Sequence, residues 1–298
     1  MNPDLVYARY RDDALAHQFT LGEYATFVAM PFGEVYSYRS TRVFEEVVCK
    51  AAERANVIGP EHMIKRRFAR PMRIDQSPGF AVQITDEILK AILYSHFVLG
   101  DVTTPNAGVH LEVGAALALK PNERIVLITQ GRPEELHFDI RGKNVVNYNS
   151  EAGVEKIAEA ICAAALSFES DRQKYLNQLS AGLTADAILL LNWYGQGQSG
   201  MGKARPPLFE DNPPPYFKGP PPALSVEGWD IRGTRPRMCF ALRELLDKHL
   251  IMNDYKPQQR SPEGVEDRWG YHATELGWAF IEYMWPACDG HPGLRRPT

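Results

Sequence analysis

The chain of 298 residues is 44% hydrophobic, and its 33 Lys and Arg against 37 Asp and Glu give a formal charge of −4. This length allows one large domain or two ordinary ones, and the near balance of charge gives no overall sign of a nucleic-acid or membrane partner. No apolar run approaches the ~18 residues of a membrane helix, and no signal-peptide pattern is present, so we expect a cytoplasmic protein. Because the cysteines and histidines lack metal-ligand spacing, we expect no bound metal, and we expect no cofactor.

From residue 25 to residue 166, apolar runs alternate with segments of helical spacing. The predicted strands are 25–33, which ends in a Pro-Phe-Gly turn, 56–59, 97–102, 124–129 and 145–148, and the predicted helices are 40–55, 80–95, 111–119 and 153–166. Because the strands are continuous apolar runs rather than alternating patterns, they favour an α/β fold with a parallel sheet and helices on both faces. In such sheets ligands bind beyond the carboxyl ends of the strands.

The composition changes near residue 167. A helix is predicted at 184–195, and the Gly- and Pro-rich stretch that follows it is typical of a linker. Residues 226–285 then have the order helix, strand, long hairpin tip, strand, helix, which is the order of a winged helix. The expected divisions are an N-terminal extension (1–24), an α/β domain (25–166), a helix with a Pro-rich linker (167–225), and a small α+β winged-helix-like domain with its tail (226–298).

Three segments, taken together, resemble one family. They are FVAMPFG (27–33), GDVTTPNAGVHLEVGAALAL (100–119) and FDIRGKNVVNY (138–148). They are similar to the nucleoside 2-deoxyribosyltransferase-like superfamily, which neighbours TIR-like NAD hydrolases, and the resemblance spans roughly residues 25–165. The middle segment is the most specific, because it joins an Asp at a strand end, a Pro-Asn loop and a Glu-x-Gly motif that opens a helix.

The resemblance implies a flavodoxin-like fold and cleavage of an N-glycosidic bond, and it assigns Glu112 as the nucleophile. A carboxylate suits this chemistry because it traps an oxocarbenium-like centre and divides one difficult step into two. We expect Glu112 in the first turn of its helix, where the positive end of the helix dipole favours the ionised form. The alternative is that Glu112 is only a charge at the N-terminus of a helix. Asp101 is the second catalytic candidate, since a carboxyl group at that strand end would orient the sugar or exchange a proton with the leaving base. The alternative is that Asp101 only caps the loop that follows it.

The other candidates surround these two carboxyl groups. Phe32 is expected to stack on the base, with core packing as the alternative, and Gly108 would let a ribose approach the backbone. Asn106 stands where better-known deoxyribosyltransferases often have an aspartate, and because an amide cannot protonate a base, hydrolysis is favoured over transfer. Tyr148 is expected to serve the structure rather than the chemistry. The predicted substrate-binding residues are Met30, Pro31, Phe32, Gly33, Asn106, Gly108, His110 and Asp139.

A dense basic run between residues 65 and 73 supplies the predicted phosphate ligands. These are Arg66, Arg67 and Arg70. Because guanidinium groups suit phosphates, the run favours a nucleotide over a bare nucleoside as the substrate. A solvated face and a subunit contact are the alternatives for the same run.

These features favour an enzyme, an N-glycosidase of nucleotides, and the pairing of such a domain with a winged-helix-like one resembles bacterial anti-phage effectors. NAD hydrolysis is the alternative within the enzymes. A non-catalytic nucleotide sensor and a DNA-binding regulator are the alternatives outside them. Residues 226–298 hold ten Lys or Arg against eleven Asp or Glu, which favours a protein partner or self-association over DNA. The family that the three segments resemble completes its pockets across subunits, and the resemblance therefore implies a homo-oligomer.

Overall fold

The structure is a computed structural model, and it divides into two compact units, Met1–Gln173 and Lys174–Thr298. The residues that it describes are 13–32, 34–35, 38–74, 84–132, 145–149, 152–198, 240–256, 260–261, 264–265 and 268–286. Across these ranges, no helix combines the length and the hydropathy that would take it through a bilayer.

A parallel sheet of four strands forms the centre of the first unit. The strands of this unit are β1 (Glu23–Tyr24), β2 (Thr26–Ala29), β3 (Glu34–Val35), β4 (Tyr38–Arg39), β5 (Arg67–Phe68), β6 (Phe97–Asp101), β7 (Ile125–Thr129) and β8 (Val145–Asn147). The central sheet has the order β2-β6-β7-β8, and all its pairings are parallel. Every residue of β2 and β6 is buried. The predicted α/β architecture with a parallel sheet is therefore confirmed, and burial on both faces explains the continuous apolar runs.

The first strand of the sheet has neighbours on both sides. Phe27 of β2 pairs with Val98 of β6 on one side and forms a parallel bridge with Met72 on the other. Two backbone hydrogen bonds of 2.9 Å fix this second neighbour, from Val28 N–H to Met72 O and from Met72 N–H to Thr26 O. The chain therefore moves from β2 to one side of the sheet and returns to the other side with β6. In open α/β sheets, the crevice at such a reversal is where ligands bind.

Helices accompany this sheet in the first unit. They are α1 (13–20), α2 (Ser40–Val43, Phe44–Cys49 and Lys50–Ile58), α3 (Ile84–Tyr94), α4 (Ala107–Leu119) and α5 (Gly153–Ala181). The middle segment of α2 is π-helical. Helix α4 contacts both β2 and β6, and its Val109 and Val113 share one apolar cluster with Phe27, Val98 and Leu127. This packing places the first turns of α4 beside the carboxyl edge of the sheet.

The strand predicted at 56–59 is wrong. Helix α2 continues to Ile58, because Ile58 lies on the same buried helix face as Ala51 and Ala55. A 3-10 turn at Gly59–His62 then ends the helical run, and its proline cannot continue an α-helix. The extended segment that follows α2 begins instead at β5 and reaches the bridge at Met72. The helix predicted at 153–166 is also longer than expected, since α5 runs to Ala181.

The second unit contains helices and short antiparallel strands. Beyond the last turns of α5, they are α6 (Ala185–Gln198), α7 (240–247), β9 (Ile251–Lys256), β10 (Arg260–Ser261), β11 (Gly264–Val265), β12 (Arg268–Ala273) and α8 (Glu275–Met284). Strands β9 and β12 pair in antiparallel fashion, as do β10 and β11. Thr274 caps α8 by accepting a hydrogen bond from Gly277 N–H at 3.0 Å. The predicted order of helix, strand, strand and helix is present, and the assignment to a winged helix stays a prediction.

Candidate active site

An aromatic side chain is exposed where the carboxyl ends of β2 and β6 lie side by side. Met30 and Pro31 follow β2 and are buried, whereas the side chain of Phe32 is 48% exposed. The guanidinium carbon of Arg73 lies 5.8 Å from the centre of the Phe32 ring. This exposure disfavours the core-packing alternative for Phe32, and it leaves aromatic surface available to a planar ligand.

Asp101, the last residue of β6, is fully buried and accepts four hydrogen bonds. Its Oδ2 accepts from the Tyr38 hydroxyl at 2.8 Å and from the Tyr148 hydroxyl at 3.2 Å. Its Oδ1 accepts from the backbone N–H of Thr103 at 3.0 Å and from the Thr103 hydroxyl. That hydroxyl also lies 3.0 Å from the Tyr148 hydroxyl and accepts from the backbone N–H of Gln130 at 2.9 Å. Asp101 is thus the centre of a hydrogen-bond network at the edge of the sheet.

The electrostatics of this network keep its hydroxyl donors protonated. Burial raises the pKa of Asp101, while the hydrogen bonds from Thr103, Tyr38 and Tyr148 act in the opposite direction. Burial, together with the neighbouring Asp101 carboxylate, raises the pKa values of Tyr38 and Tyr148. Both tyrosines therefore remain donors at neutral pH. Both oxygens of Asp101 are shielded and already bonded within the protein, which does not favour direct contact with a sugar. A direct role of Asp101 at the sugar stays a prediction.

Glu112 lies in the second turn of α4, so the expectation that it falls in the first turn is wrong. The helix begins at Ala107 rather than at residue 111, because Asn106 acts as its N-cap. The side-chain oxygen of Asn106 accepts a hydrogen bond from the backbone N–H of Val109 at 3.1 Å. At 1.5 Å of rise per residue, Glu112 lies about 9 Å along the helix axis from its cap. The positive end of the helix dipole therefore lies more than one turn before Glu112, and its effect on this carboxyl group has largely decayed.

Glu112 is a largely buried residue, and its carboxyl group keeps some contact with solvent but has no partner among the described residues. Its side chain is 9% exposed and shares the buried face of α4 with Val109, Val113 and Ala116. Within the described ranges, no hydrogen bond or ion pair reaches this carboxyl group. Burial alone raises the pKa of Glu112 to about 7. An uncompensated buried carboxyl group costs folding free energy, and such groups are concentrated at functional sites.

A glycine at residue 100 allows α4 to approach β6 closely. A Cβ atom on Gly100 would lie 2.7 Å from the Val113 side chain and 3.0 Å from the Leu127 side chain. Any larger residue would therefore push α4 outward and carry Glu112 away from the strand that ends in Asp101. At this strand end, Gly100 thus allows close packing of the helix, and Asp101 supplies a buried carboxyl group.

Of the predicted phosphate ligands, Arg66 lies away from this site, whereas Arg70 contacts the Phe44 ring that Arg73 also contacts. Arg66 lies at the amino end of the sheet, near His96, the residue before β6. There its guanidinium donates to two backbone carbonyl groups at 3.2 and 3.0 Å and pairs with Glu169 at 3.4 Å. Arg70 is exposed and forms an ion pair on α2, and Arg67 is an exposed residue of β5. Since parallel strands separate the two edges, Arg66 is not available to a ligand held beside Asp101.

Tyr38, Thr103 and Arg73 also belong to this site, and the sequence patterns did not single them out. Tyr38 bonds to Asp101 across 63 positions of sequence, so no local pattern points to it. Arg73 belongs to the same basic run as Arg66, yet it follows the bridge at residue 72 and contacts the Phe32 ring. Its position at the end of that extended segment is the signal that would have found it.

The remaining candidates have simpler surroundings. Gly108 is exposed in the first turn of α4. The Nδ1 atom of His110 lies 2.8 Å from the backbone oxygen of Asn106. Gly33 and Asp139 lie outside the described residues. In the part of the chain that the structure describes, no group of three His, Cys, Asp or Glu side chains could hold a metal ion.

Comparisons of the chain with protein-family models, curated proteins and solved structures give no match. The function is therefore inferred from geometry and chemistry. The most informative features are the unpartnered carboxyl group of Glu112, the exposed ring of Phe32 and the network around Asp101.

Proposed function

We propose that the first unit is an N-glycosidase that cleaves the base–sugar bond of a nucleotide, with Glu112 as the nucleophile. The observation that carries this proposal is the largely buried side chain of Glu112, whose carboxyl group lacks a partner among the described residues. In the free protein its ionised form is disfavoured. Positive charge that develops on the sugar in the transition state would supply the missing partner, so the interaction would be stronger there than in the ground state.

In the proposed reaction, the ionised oxygen of Glu112 attacks the anomeric carbon while the bond to the base breaks and its electron pair leaves with the base. The product is a glycosyl ester of Glu112. A water molecule then bonds to the anomeric carbon and the ester bond breaks, which regenerates the carboxylate. The proton that the water releases balances the proton that the base takes up from solvent. Phe32 would stack on the base during both steps, as its exposed ring allows.

The proposed fold of this unit is flavodoxin-like. The strand order supports it, because the extended segment at Met72 lies outside β2 while β6, β7 and β8 follow on the other side. For the second unit we propose a winged-helix-like arrangement that binds a protein partner. The order of elements in residues 240–286 supports this arrangement.

NAD hydrolysis is a second candidate, and the burial of Asp101 favours it. Both oxygens of Asp101 already accept hydrogen bonds within the protein, so this residue is poorly placed to protonate a departing base. Nicotinamide leaves a cationic N-glycoside as a neutral molecule and needs no proton from an acid. The same nucleophile would therefore act on NAD without a general acid.

The test is release of free base from a panel of nucleosides, ribonucleotides, deoxynucleotides and NAD, measured by chromatography on the full chain. The Glu112→Gln variant keeps the size of the side chain and removes the nucleophile. The matched control is Glu123→Gln, since Glu123 is exposed and has no ion pair or hydrogen bond in the described structure. Base release by the parent chain and by the control, but not by Glu112→Gln, would support the proposal and would identify the substrate.

The pH dependence gives a second criterion. Because the pKa of Glu112 is about 7 in the free protein and a nucleophile must be ionised, kcat/KM is expected to rise as the pH increases through about 7. Base release that survives in the Glu112→Gln variant would show that another group is the nucleophile. An inert parent chain that nevertheless binds one of these compounds would favour a sensor instead.

A further inference from the structure

The network around Asp101 connects the segments that follow each strand of the central sheet. Tyr38 belongs to the β3–β4 hairpin, which comes after β2 and Phe32. Thr103 comes after β6, Gln130 after β7 and Tyr148 after β8. Through two bonds to Oδ2 and two to Oδ1, a single carboxylate fixes the hairpin against the loop that leads into α4.

The carboxylate and the two tyrosines of this network are shielded from ligands, whereas Thr103 and Gln130 are half-buried. Asp101 is fully buried, and the side chains of Tyr38 and Tyr148 are only 3% and 8% exposed. Each oxygen of the carboxylate accepts two hydrogen bonds. The Thr103 hydroxyl in turn accepts a hydrogen bond from the backbone N–H of Gln130. A buried polar network that is fully bonded stiffens the segments it joins. Its geometry suits the holding of loops and does not suit contact with a substrate.

We propose that Asp101 is a positioning residue and that Tyr38 acts through it to hold the Phe32 loop in place beside the start of α4, which carries Glu112. This inference rests on the proposed function, since the positions that it concerns are those of the proposed base platform and nucleophile. Loss of the Tyr38 hydroxyl would leave Asp101 with three donors and would loosen loops that lie in different parts of the sequence. A displacement of about 1 Å at a reacting centre lowers turnover by about a hundredfold.

The test compares Tyr38→Phe with Tyr24→Phe by amide hydrogen exchange on the full chain. Tyr24 is the matched control, because it is also fully buried and its hydroxyl also donates to a carboxylate, that of Glu169 at 3.0 Å. Tyr24 lies at the amino edge of the sheet, beside His96. In Tyr38→Phe, the backbone amides of Thr103 and Gln130 are expected to exchange about tenfold faster or more. In Tyr24→Phe, they are expected to exchange at the parent rate.

A second pair of variants separates positioning from direct catalysis. Asp101→Asn is expected to accelerate exchange at Gln130 as Tyr38→Phe does, and the double variant is expected to show no more than the larger single effect, because the two residues act as one unit. If base release is measurable, the single variants are expected to share a loss of kcat with a smaller change in KM. Asp101→Asn with lost turnover but unchanged exchange at Gln130 would instead make Asp101 a catalytic residue and overturn the proposal.

The exchange measurement does not depend on the reaction. A parent chain that releases no base from any compound would refute the proposed function, and the exchange rates would still decide the role of the network. Unchanged exchange at Gln130 in Tyr38→Phe would refute the network proposal, and base release by the parent chain would still stand. If Tyr38→Phe fails to fold, Tyr148→Phe removes the longer bond to Asp101, of 3.2 Å, and gives the same readout.

Discussion

Replacement of Glu112 by Gln should stabilise the protein above neutral pH and leave its stability nearly unchanged at about pH 4.5 and below. Burial raises the pKa of this carboxyl group from its ordinary value of 4.5 to about 7. A raised pKa means that the folded state binds the proton more tightly than the unfolded state. The stability that this proton contributes is therefore complete below pH 4.5 and is lost as the pH rises through about 7. Gln is neutral at every pH and avoids that loss.

The size of the effect follows from the shift in pKa. One pH unit of pKa corresponds to about 1.36 kcal/mol, so a rise from 4.5 to about 7 sets a ceiling of about 3 kcal/mol. Because the side chain keeps some contact with solvent, we expect about 2 kcal/mol. For a domain of 150–250 residues, each kcal/mol moves Tm by about 2–4 °C. The variant should therefore melt about 4–8 °C higher at about pH 8.5.

The assay is thermal unfolding of the parent chain, Glu112→Gln and Glu123→Gln at about pH 4.5 and about pH 8.5. Glu123 is exposed, so its variant should follow the parent chain at both pH values. A Glu112→Gln variant that melts at the parent temperature or below it at about pH 8.5 would refute this prediction. That result would mean that the ionised carboxylate has a stabilising partner, and the proposed nucleophile would lose its main support.

Three further predictions follow from packing and burial. Gly100→Ala places a Cβ atom 2.7 Å from Val113 and should lower the free energy of unfolding by about 1–3 kcal/mol, as urea titration would measure; a neutral result would show that α4 moves freely. Gly153→Ala places a Cβ atom 2.5 Å from the backbone oxygen of Tyr148, which cannot rotate away, so the loss in the same titration should be at least as large. Burial lowers the pKa of His96 to about 3, so its NMR signals should not titrate above about pH 4. The free energy of unfolding should fall as the pH decreases from about 6.5 toward 3, because the buried ring is neutral in the folded protein while the unfolded chain takes up a proton. Titration of His96 near the ordinary pKa of 6.5 would contradict this burial.

Local patterns predicted the inner strands of the sheet well, because β2, β6 and most of β7 are buried, whereas β8 is half-buried. All residues of β2 and β6 are buried, and this double burial produces the apolar runs from which a parallel sheet was predicted. The false strand at 56–59 shows the limit of the same rule. Val57 and Ile58 are as apolar as a strand, but the helix that precedes them continues, and only the proline at 60 ends it.

The start of α4 could not be read from its own sequence. Asparagine is favoured both in turns and at helix N-caps, and Gly108 has a low helix propensity. The segment 103–110 therefore reads equally well as a loop. Only the bond from Val109 N–H to the Asn106 side chain decides in favour of the helix, and this moves Glu112 into the second turn.

Long-range contacts decide the rest of the candidate site. The Tyr38–Asp101 bond joins residues 63 positions apart, and no periodicity encodes it. Arg66 and Arg73 are close in sequence, yet an extended segment runs between them and delivers them to opposite edges of the sheet. The extended segment between Arg66 and Arg73 therefore separates basic residues that are close together in the sequence.

The sheet order also has a consequence for the synthesis of the chain on the ribosome. Strand β2 is made early, but its neighbour β6 comes about 70 residues later, which corresponds to roughly 4–14 s at about 5–20 residues per second. During that interval, the apolar residues Phe27, Val28 and Ala29 lack the strand that covers one of their edges. Met72 is synthesised sooner, so β2 is expected to pair first with the segment at Met72. It pairs with β6 only later, when the strand that ends in Asp101 has been synthesised, and Glu112 follows shortly afterwards.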